Sequence, residues 1–298
     1  MAVLTSVVPV WRGALSVNTI EVRTAEWQTC NVLGVDVEFH REGSGQPLVL
    51  IDGSFGFRPD GPFIGDFARN FSVIAIRLPG FGDNALPGWI NSTDDYAYLG
   101  LQLLKKLDVK RAILTGCSFG GWVAAEMAAM DASRLSGLVL VGAFGLKAGP
   151  YDRLDVPDIY SMSRSALECL LYRDPAHARF DQSRGDDNTL ERMARGWETM
   201  ALLSWDSFFH NPKLKYRVAG IDLPCLILRG ESDGLVSRAN ADAFASLIKG
   251  AQSGEIANCG HLPLVEQPEE VGSRIMSFIS STKAWTGSRI DVRMVDTQ

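Results

Sequence analysis

Short apolar runs alternate along this chain with longer stretches whose apolar residues recur at helical spacing. Near-continuous runs of Val, Ile and Leu are typical of strands that are buried on both faces of a parallel sheet. Five such runs predict strands at 47–51, 71–76, 111–114, 138–141 and 225–228. Two more strands are predicted near the N-terminus, at 19–25 and 32–40, and a last strand is predicted to end at Ile256.

Most of these apolar runs are followed by a stretch whose apolar residues have helical spacing. Leu99, Leu103 and Leu107 lie at i, i+4 and i+8 within a predicted helix at 95–107. Further helices are predicted at 121–129, 239–247 and 268–279. Strands that alternate with helices predict an α/β fold, in which helices flank a mostly parallel sheet.

One long segment, residues 146–216, interrupts this alternation. It contains no run typical of a buried strand, and 166–172 and 190–203 have helical spacing instead. At about 70 residues it is far longer than an ordinary crossover connection, which is the alternative interpretation. We therefore expect a helical cap inserted after the sixth strand.

This division leaves a core made of residues 1–145 and 217–280, and a polar tail, 281–298, that lacks periodicity and is expected to be loose. The expected cap is rich in aromatic residues. They are Tyr151, Tyr160, Tyr172, Phe180, Trp197, Trp205, Phe208 and Phe209. Individually such residues are typical of a core, but as a group they favour an apolar pocket for a small or medium-sized molecule.

Composition narrows the classes of function. Of 298 residues, 46% are hydrophobic and 21% are charged, which is ordinary for a globular protein and excludes a disordered or fibrous chain. The net charge of −6 provides no basic face for nucleic acid. Five cysteines without a C-x-x-C pair argue against a zinc ribbon or a redox dithiol, and free thiols fit a reducing compartment.

The N-terminal residues 1–11 are apolar, but no Lys or Arg precedes them and Arg12 follows them. A secretory signal has its basic region first, so an export signal is the weaker interpretation and a cytoplasmic location is expected. No run reaches the roughly 18 apolar residues of a membrane-spanning helix. Metalloprotease and nucleotide-binding motifs are also missing, so no cofactor or metal is indicated, and the expected partner is a small-molecule substrate. The oligomeric state stays open.

The strongest candidate for chemistry is Ser118, which lies in a G-x-S-x-G motif at 116–120. The motif joins the predicted strand 111–114 to the predicted helix 121–129, which is the strand–turn–helix setting of a nucleophile elbow. A sharp turn there holds a hydroxyl at the carboxyl edge of the sheet, beside a helix N-terminus that favours negative charge. This setting favours catalysis over the alternative, a glycine-rich turn with an incidental serine.

A serine hydroxyl is too weak an acid to attack without an adjacent base. Of the four histidines, His40 ends a predicted strand, and His177 and His210 lie in the expected cap. His261 follows the strand that ends at Ile256, in a loop that can reach the carboxyl edge of the sheet. We therefore expect His261 to be the base, the alternative being an ordinary surface histidine.

A carboxylate is needed to orient that histidine. Asp233 follows the predicted strand 225–228 and precedes His261, so it would lie at the same sheet edge. Glu231, two residues earlier, is the competing acid. The order serine, acid, histidine differs from the orders in chymotrypsin-like and subtilisin-like proteases.

Together these features resemble the α/β-hydrolase fold, in the form that carries a helical cap. Serine, acid, histidine is the order of that family. The resemblance spans about 32–280 and includes three further motifs. Residues 77–84 resemble the family's R-G-x-G-x-S loop, 211–214 with 223–226 resemble its cap exit, and 260–269 resemble its G-H…E-x-P-E ending. These motifs are specific for the fold and only weakly specific for the substrate.

The resemblance also implies how the site would work. By position, the backbone N–H groups of Ser54 and Phe119 would form the oxyanion hole, each donor being worth roughly 3 kcal/mol. Serine at the elbow excludes the dehalogenase-like and epoxide-hydrolase-like relatives, which carry aspartate there. Cys117 and Cys259 are weaker candidates for the nucleophile.

One departure from the family lies beside the expected oxyanion hole. After the predicted strand 47–51 the family usually has His-Gly, whereas this chain has Asp52 and Gly53. A carboxylate there would oppose the oxyanion unless it is hydrogen-bonded, protonated or paired with a cation such as Arg58 or Arg77. We favour a structural role for Asp52 in fixing the loop over a catalytic one.

The resemblance implies a cofactor-independent serine hydrolase that forms an acyl-enzyme, and a small or medium apolar carboxylic ester is the first expectation for its substrate. One alternative is hydrolysis of a carbon–carbon bond in a diketone from aromatic ring cleavage, although 54–57 lack the Gly-rich continuation of those enzymes. A cofactor-free haloperoxidase-like activity is a third, and the large cap argues against it. A slow or non-catalytic ligand receptor on the same fold also stays open.

Overall fold

An eight-stranded sheet is the frame of the protein in the computed structural model, which describes residues 27–51, 53, 62–175 and 187–282. The strands are β1 (Gln28–Val32), β2 (Val35–Glu42), β3 (Gln46–Ile51), β4 (Phe71–Arg77), β5 (Ala112–Cys117), β6 (Leu135–Val141), β7 (Cys225–Gly230) and β8 (Gln252–Ile256). Their order across the sheet is β1-β2-β4-β3-β5-β6-β7-β8. The pairs β1–β2 and β2–β4 are antiparallel, and every pair from β4 to β8 is parallel. This is the mostly parallel sheet that the sequence predicts.

The five predicted apolar runs contribute to strands β3 to β7, and every residue of β5, β6 and β7 is buried. The strand predicted at 32–40 corresponds to β2, which begins only at Val35, and the preceding strand β1 was not predicted. Leu33 and Gly34 join them with φ angles of +56° and +80°. Two positive φ angles are the signature of a tight hairpin turn, which the alternation of apolar residues does not reveal. The strand predicted at 19–25 lies outside the described residues.

Helices cover both faces of the sheet. They are α1 (Pro62–Ala68), α2 (Thr93–Lys106), α3 (Ser118–Met130), α4 (Arg164–Leu171), α5 (Asp187–Ser204), α6 (Leu214–Val218), α7 (Arg238–Leu247), α8 (Pro263–Glu266) and α9 (Pro268–Ser281). On one face, Val49 and Ile51 of β3 pack in a core with α2, α3 and α7. On the other, Leu48 and Leu50 pack with α1 and α9. The alternation along β3 therefore supplies both layers of the core.

Helix α3 runs directly out of β5 and is buried from Ser118 to Ala128. It has no polar face, and a helix that is apolar all round is typical of a buried position. Its Ala and Gly residues allow it to lie against β5 and β6, to which it makes extensive contacts. A rigid, fully packed helix therefore begins at the predicted nucleophile.

Residues 146–216, which we call the insert, lie between β6 and β7 and contain α4, α5 and the first residues of α6. The helical spacing predicted at 166–172 and 190–203 corresponds to α4 and α5. The division into core and cap domains stays a prediction. Most of the predicted tail lies outside the described residues. Among the helices that the structure describes, none combines the length and the apolar composition needed to cross a membrane.

A partly buried carboxylate, Asp155, fixes the start of the insert. Asp155 accepts hydrogen bonds from the backbone N–H groups of Ala148 at 2.6 Å and Gly149 at 3.0 Å. It also pairs with Lys147 at 3.3 Å and accepts a bond from the Asn240 side chain of α7 at 2.9 Å. Burial opposes its ionisation, but the bonds from Gly149 and Ala148 outweigh burial and lower the pKa of Asp155.

Replacing Asp155 with Asn removes this charge and is expected to lower the free energy of unfolding by about 1–3 kcal/mol. Because the pKa of Asp155 is lowered in the folded state, its contribution is present above the unfolded pKa of about 4 and is lost as pH falls through the folded value. Urea unfolding at several pH values measures this. The exposed Asp152→Asn variant is the control, and a deficit for Asp155→Asn that does not shrink at low pH would contradict the assignment.

Candidate active site

Ser118 lies at the junction of β5 and α3 in a backbone conformation that non-glycine residues rarely adopt. Its φ is +53°, and such a strained position costs of order 1 kcal/mol or more. The turn is tight because a Cβ on Gly116 would lie 2.3 Å from the carbonyl oxygen of Gly120. Only glycine at 116 therefore allows the strand to turn so sharply into the helix.

The structure brings three of the predicted residues into one hydrogen-bonded chain. His261 Nε2 lies 2.8 Å from Ser118 Oγ, although the two residues are 143 positions apart. His261 Nδ1 lies 3.0 Å from both carboxylate oxygens of Asp233. The side chains of His261 and Asp233 are fully buried, and Ser118 is only 2% exposed. The imidazole can thus accept the serine proton on one side while the carboxylate faces its other nitrogen.

Backbone groups fix the orientation of Asp233. Its Oδ1 accepts hydrogen bonds from the N–H groups of Leu235 at 2.9 Å and Val236 at 2.8 Å. The guanidinium of Arg229 donates to the backbone carbonyl of Asp233 at 3.2 Å. Glu231, the competing acid in the sequence, is exposed and accepts a bond from the Asn258 N–H at 3.1 Å. The geometry therefore places Asp233, and not Glu231, against the imidazole.

A column of aromatic rings connects His261 to the insert. Phe144, just after β6, stacks on the imidazole with ring centroids 5.3 Å apart. Phe209 packs on Phe144 at 4.8 Å, and Tyr160 stacks on Phe209 at 6.0 Å. Burial raises the pKa of Tyr160 to about 12, so its hydroxyl, 2.9 Å from Ser204 Oγ, stays neutral. The insert therefore packs against the ring that stacks on the imidazole.

The predicted oxyanion residues are described only in part. Phe119 is the second residue of α3, where a backbone N–H has no partner within the helix. Its ring is buried against Tyr96 and Trp122. Ser54 and Asp52 lie outside the described residues.

The sequence offers Arg77 and Arg58 as cations that could pair with Asp52. Arg77 pairs with Glu38 at 3.2 Å, and its guanidinium lies 3.8 Å from the ring centre of Trp27. Arg58 lies outside the described residues.

The other histidines lie apart from this chain of groups. His40 is in β2, 3.4 Å from Glu42, and His210 is in the insert, 3.5 Å from the Phe208 carbonyl. His177 lies outside the described residues.

The two cysteines nearest to the site in sequence are buried. Cys117 is 8% exposed and Cys259 is inaccessible. Burial, followed by the nearby Glu266 carboxylate, raises the pKa of the Cys259 thiol. A thiol acts as a nucleophile only when ionised, so Cys259 is poorly suited to that role.

The contacts of two buried carboxylates were not predicted from the sequence. Glu126 of α3 is bonded to Trp122 Nε1, to the Asn211 side chain at the end of the insert, and to Arg217. Burial and the charge of Asp94 raise its pKa. The amphipathic pattern gave no signal for Glu126, because α3 has no polar face on which a charge would be expected.

The second carboxylate is Glu266, which is 8% exposed and accepts a bond from the Gly260 N–H at 2.6 Å. The sequence marked it only as part of a family ending. Within the described ranges, no group of three or more His, Cys, Asp or Glu side chains is arranged to hold a metal ion.

Comparison with known proteins identifies the family of the chain. A model of the alpha/beta hydrolase family matches residues 46–274. The chain is 27% identical over 265 residues to 2-hydroxy-6-oxo-6-(2'-aminophenyl)hexa-2,4-dienoic acid hydrolase of Metapseudomonas resinovorans, covering 84% of this chain and 89% of that protein. It is 26% identical over 264 residues to the pimeloyl-[acyl-carrier protein] methyl ester esterase of Stenotrophomonas maltophilia, covering 83% and 98%.

A solved structure shares the architecture. The esterase RhEst1 from a Rhodococcus species superposes with a TM-score of 0.65 at 24% identity, covering 87% of this chain and 99% of that one. The family match spans far more than half of the sequence and includes every strand from β3 to β8. The chain therefore belongs to the alpha/beta hydrolase family.

Proposed function

We propose that this hydrolase is a serine esterase that cleaves a small or medium apolar carboxylic ester through an acyl-enzyme. The observation that carries the proposal is the buried chain of hydrogen bonds from Ser118 Oγ through His261 to Asp233, with distances of 2.8 and 3.0 Å. The expected substrate is a small molecule. The five free cysteines support a reducing, cytoplasmic setting.

In this mechanism Ser118 Oγ attacks the ester carbonyl while His261 Nε2 removes its proton. Asp233 keeps the proton of the neutral imidazole on Nδ1 and stabilises the imidazolium that forms. The imidazolium then protonates the leaving alcohol. A water molecule, deprotonated by the same imidazole, cleaves the acyl-enzyme and restores Ser118.

Two backbone N–H groups complete the proposal as the oxyanion hole. Phe119 supplies one from the first turn of α3, where the helix dipole also favours negative charge. Ser54 supplies the other, by its position after β3. Together with the buried side chains, these donors would act in a site shielded from water, where electrostatic stabilisation is strongest.

A second candidate is hydrolysis of a carbon–carbon bond in a ring-cleavage product. The observation that favours it is the 27% identical relative, which is named as a hydrolase of such a dienoic acid. Both reactions need the same serine, imidazole and carboxylate. Which bond is cleaved therefore has to be determined by testing substrates.

Replacing Ser118 with Ala, or His261 with Ala, is expected to abolish labelling by a fluorophosphonate probe, because the variants lack the nucleophile or its base. Gel fluorescence after incubation with the probe measures the effect. The exposed Ser253→Ala and the insert variant His210→Ala are matched controls and should label like the wild type. Persistent labelling of Ser118→Ala would place the nucleophile elsewhere.

Replacing Asp233 with Asn is expected to lower kcat about ten-thousand-fold without loss of folding, because the amide favours the wrong imidazole tautomer. The exposed Glu231→Gln variant should stay within about twofold of wild type, since its carboxylate contacts the Asn258 N–H and not the imidazole. Steady-state kinetics and thermal melting measure both. A large loss in Glu231→Gln with a mild one in Asp233→Asn would reverse the assignment of the acid.

A comparison of kcat/KM for p-nitrophenyl butyrate and for a 2-hydroxy-6-oxo-dienoic acid separates the two candidate reactions. We expect the ester to be the better substrate, with turnover lost in Ser118→Ala. A higher kcat/KM for the dienoic acid would favour the second candidate. If the wild type hydrolyses neither substrate faster than Ser118→Ala does, the result would support a ligand receptor instead.

A further inference from the structure

The loops that carry Asp233 and His261 both contact the end of α4 in the insert. The N–H of Gly234 donates to the Leu170 carbonyl at 3.1 Å, and the N–H of His261 donates to the Leu171 carbonyl at 2.8 Å. Carbonyls in the last turn of a helix have no partner within the helix, so they are free to accept these bonds. The backbone of the insert therefore helps to position both loops.

Glu266 strengthens the same junction from the other side. Its Oε2 accepts the N–H of Gly260 at 2.6 Å, immediately before His261. Its Oε1 accepts the N–H groups of Arg173 at 2.9 Å and Asp174 at 3.2 Å, just after α4. Charge-assisted bonds of this kind are about twice as strong as neutral ones. One buried carboxylate thus ties the histidine loop to the insert.

The packing at Gly260 shows independently that this junction is close. A Cβ at 260 would lie 2.5 Å from the Leu171 carbonyl oxygen and 2.8 Å from the Arg173 nitrogen. The backbone at 260 is in direct contact with the backbone of 171–173, and there is no space for a side chain at position 260. The position of the histidine loop is therefore sensitive to the position of 171–173.

We propose that Glu266 is a positioning residue, which sets the place of the His261 imidazole relative to Ser118 by joining the histidine loop to the end of α4. This inference rests on the proposed function. The Nε2–Oγ distance of 2.8 Å depends on where the backbone of His261 lies, and a misplacement of about 1 Å can cost about a hundredfold in rate. The insert then helps to position the catalytic base, His261.

The Glu266→Gln variant isolates this role. Glutamine keeps the size of the side chain but has one acceptor oxygen and one amide donor. The donor would face an N–H, so either Gly260 or the pair Arg173 and Asp174 loses its acceptor. The junction is weakened while the volume of the core is preserved.

We expect Glu266→Gln to lower kcat about 10- to 100-fold with KM within about twofold of wild type. The selective loss of kcat separates a misplaced base from weaker substrate binding, which would raise KM. Steady-state hydrolysis of p-nitrophenyl butyrate measures both constants, with thermal melting alongside. The exposed Glu269→Gln, three residues on, is the matched control and should behave as wild type.

An unchanged kcat in Glu266→Gln would overturn the proposal. A loss of kcat that disappears once the rate is corrected for a lower folded fraction at the assay temperature would also overturn it, because it indicates a structural role only. If Glu266→Gln does not fold, Glu266→Asp is the second variant. Its carboxylate is one methylene too short to reach both partners, so a loss of about tenfold in kcat is expected, and wild-type kinetics would refute the role.

The wild type separates this outcome from failure of the proposed function. If the wild type shows no activity that Ser118→Ala removes, the proposed function fails and the positioning role fails with it. If the wild type is active through Ser118 and Glu266→Gln matches it, only the role of Glu266 is refuted.

Discussion

The structure depends on one buried imidazole that contacts a serine on one side and a carboxylate on the other. Its two partners come from chain segments that are distant in sequence, and they meet because β5, β7 and β8 are parallel. The carboxyl ends of parallel strands share one edge of the sheet, so the residues that follow them converge there. Ser118, Asp233 and His261 each follow one of these strands. The topology of the sheet is therefore enough to bring these three residues to one edge.

Support for the imidazole comes largely from outside the sheet. Phe144 stacks on its ring, Phe209 packs on Phe144, and the carbonyl of Leu171 accepts the backbone N–H of His261. The insert is itself fixed at its start by the bond from Asn240 of α7 to Asp155, and at its end by the bond from Asn211 to Glu126. Both ends of the segment that contacts the histidine loop are thus anchored to the core.

Sequence predicted the fold and the three central residues because their signals are local. The elbow at Ser118 is a five-residue pattern between a strand and a helix, and its glycines are required by contacts within the same turn. Glu266 has a local signal only as part of the family ending at 260–269, and its contacts were not predicted because they include an N–H group 93 residues away in the insert. The turn at Leu33 was missed for a related reason, since the apolar pattern continues through it. The features that could not be predicted from the sequence depend on backbone conformation and on polar contacts between distant residues.

Three carboxylates, at Asp233, Glu266 and Glu126, lie in the interior around the site. Each accepts hydrogen bonds from more than one segment, so the cost of burying the charge is offset by donors that folding brings together. Hydrophobic contact is not directional and tolerates sliding, whereas a carboxylate bonded to several N–H groups fixes both distance and angle. Carboxylates at these junctions therefore specify the relative positions of loops and insert more narrowly than apolar residues of the same volume could.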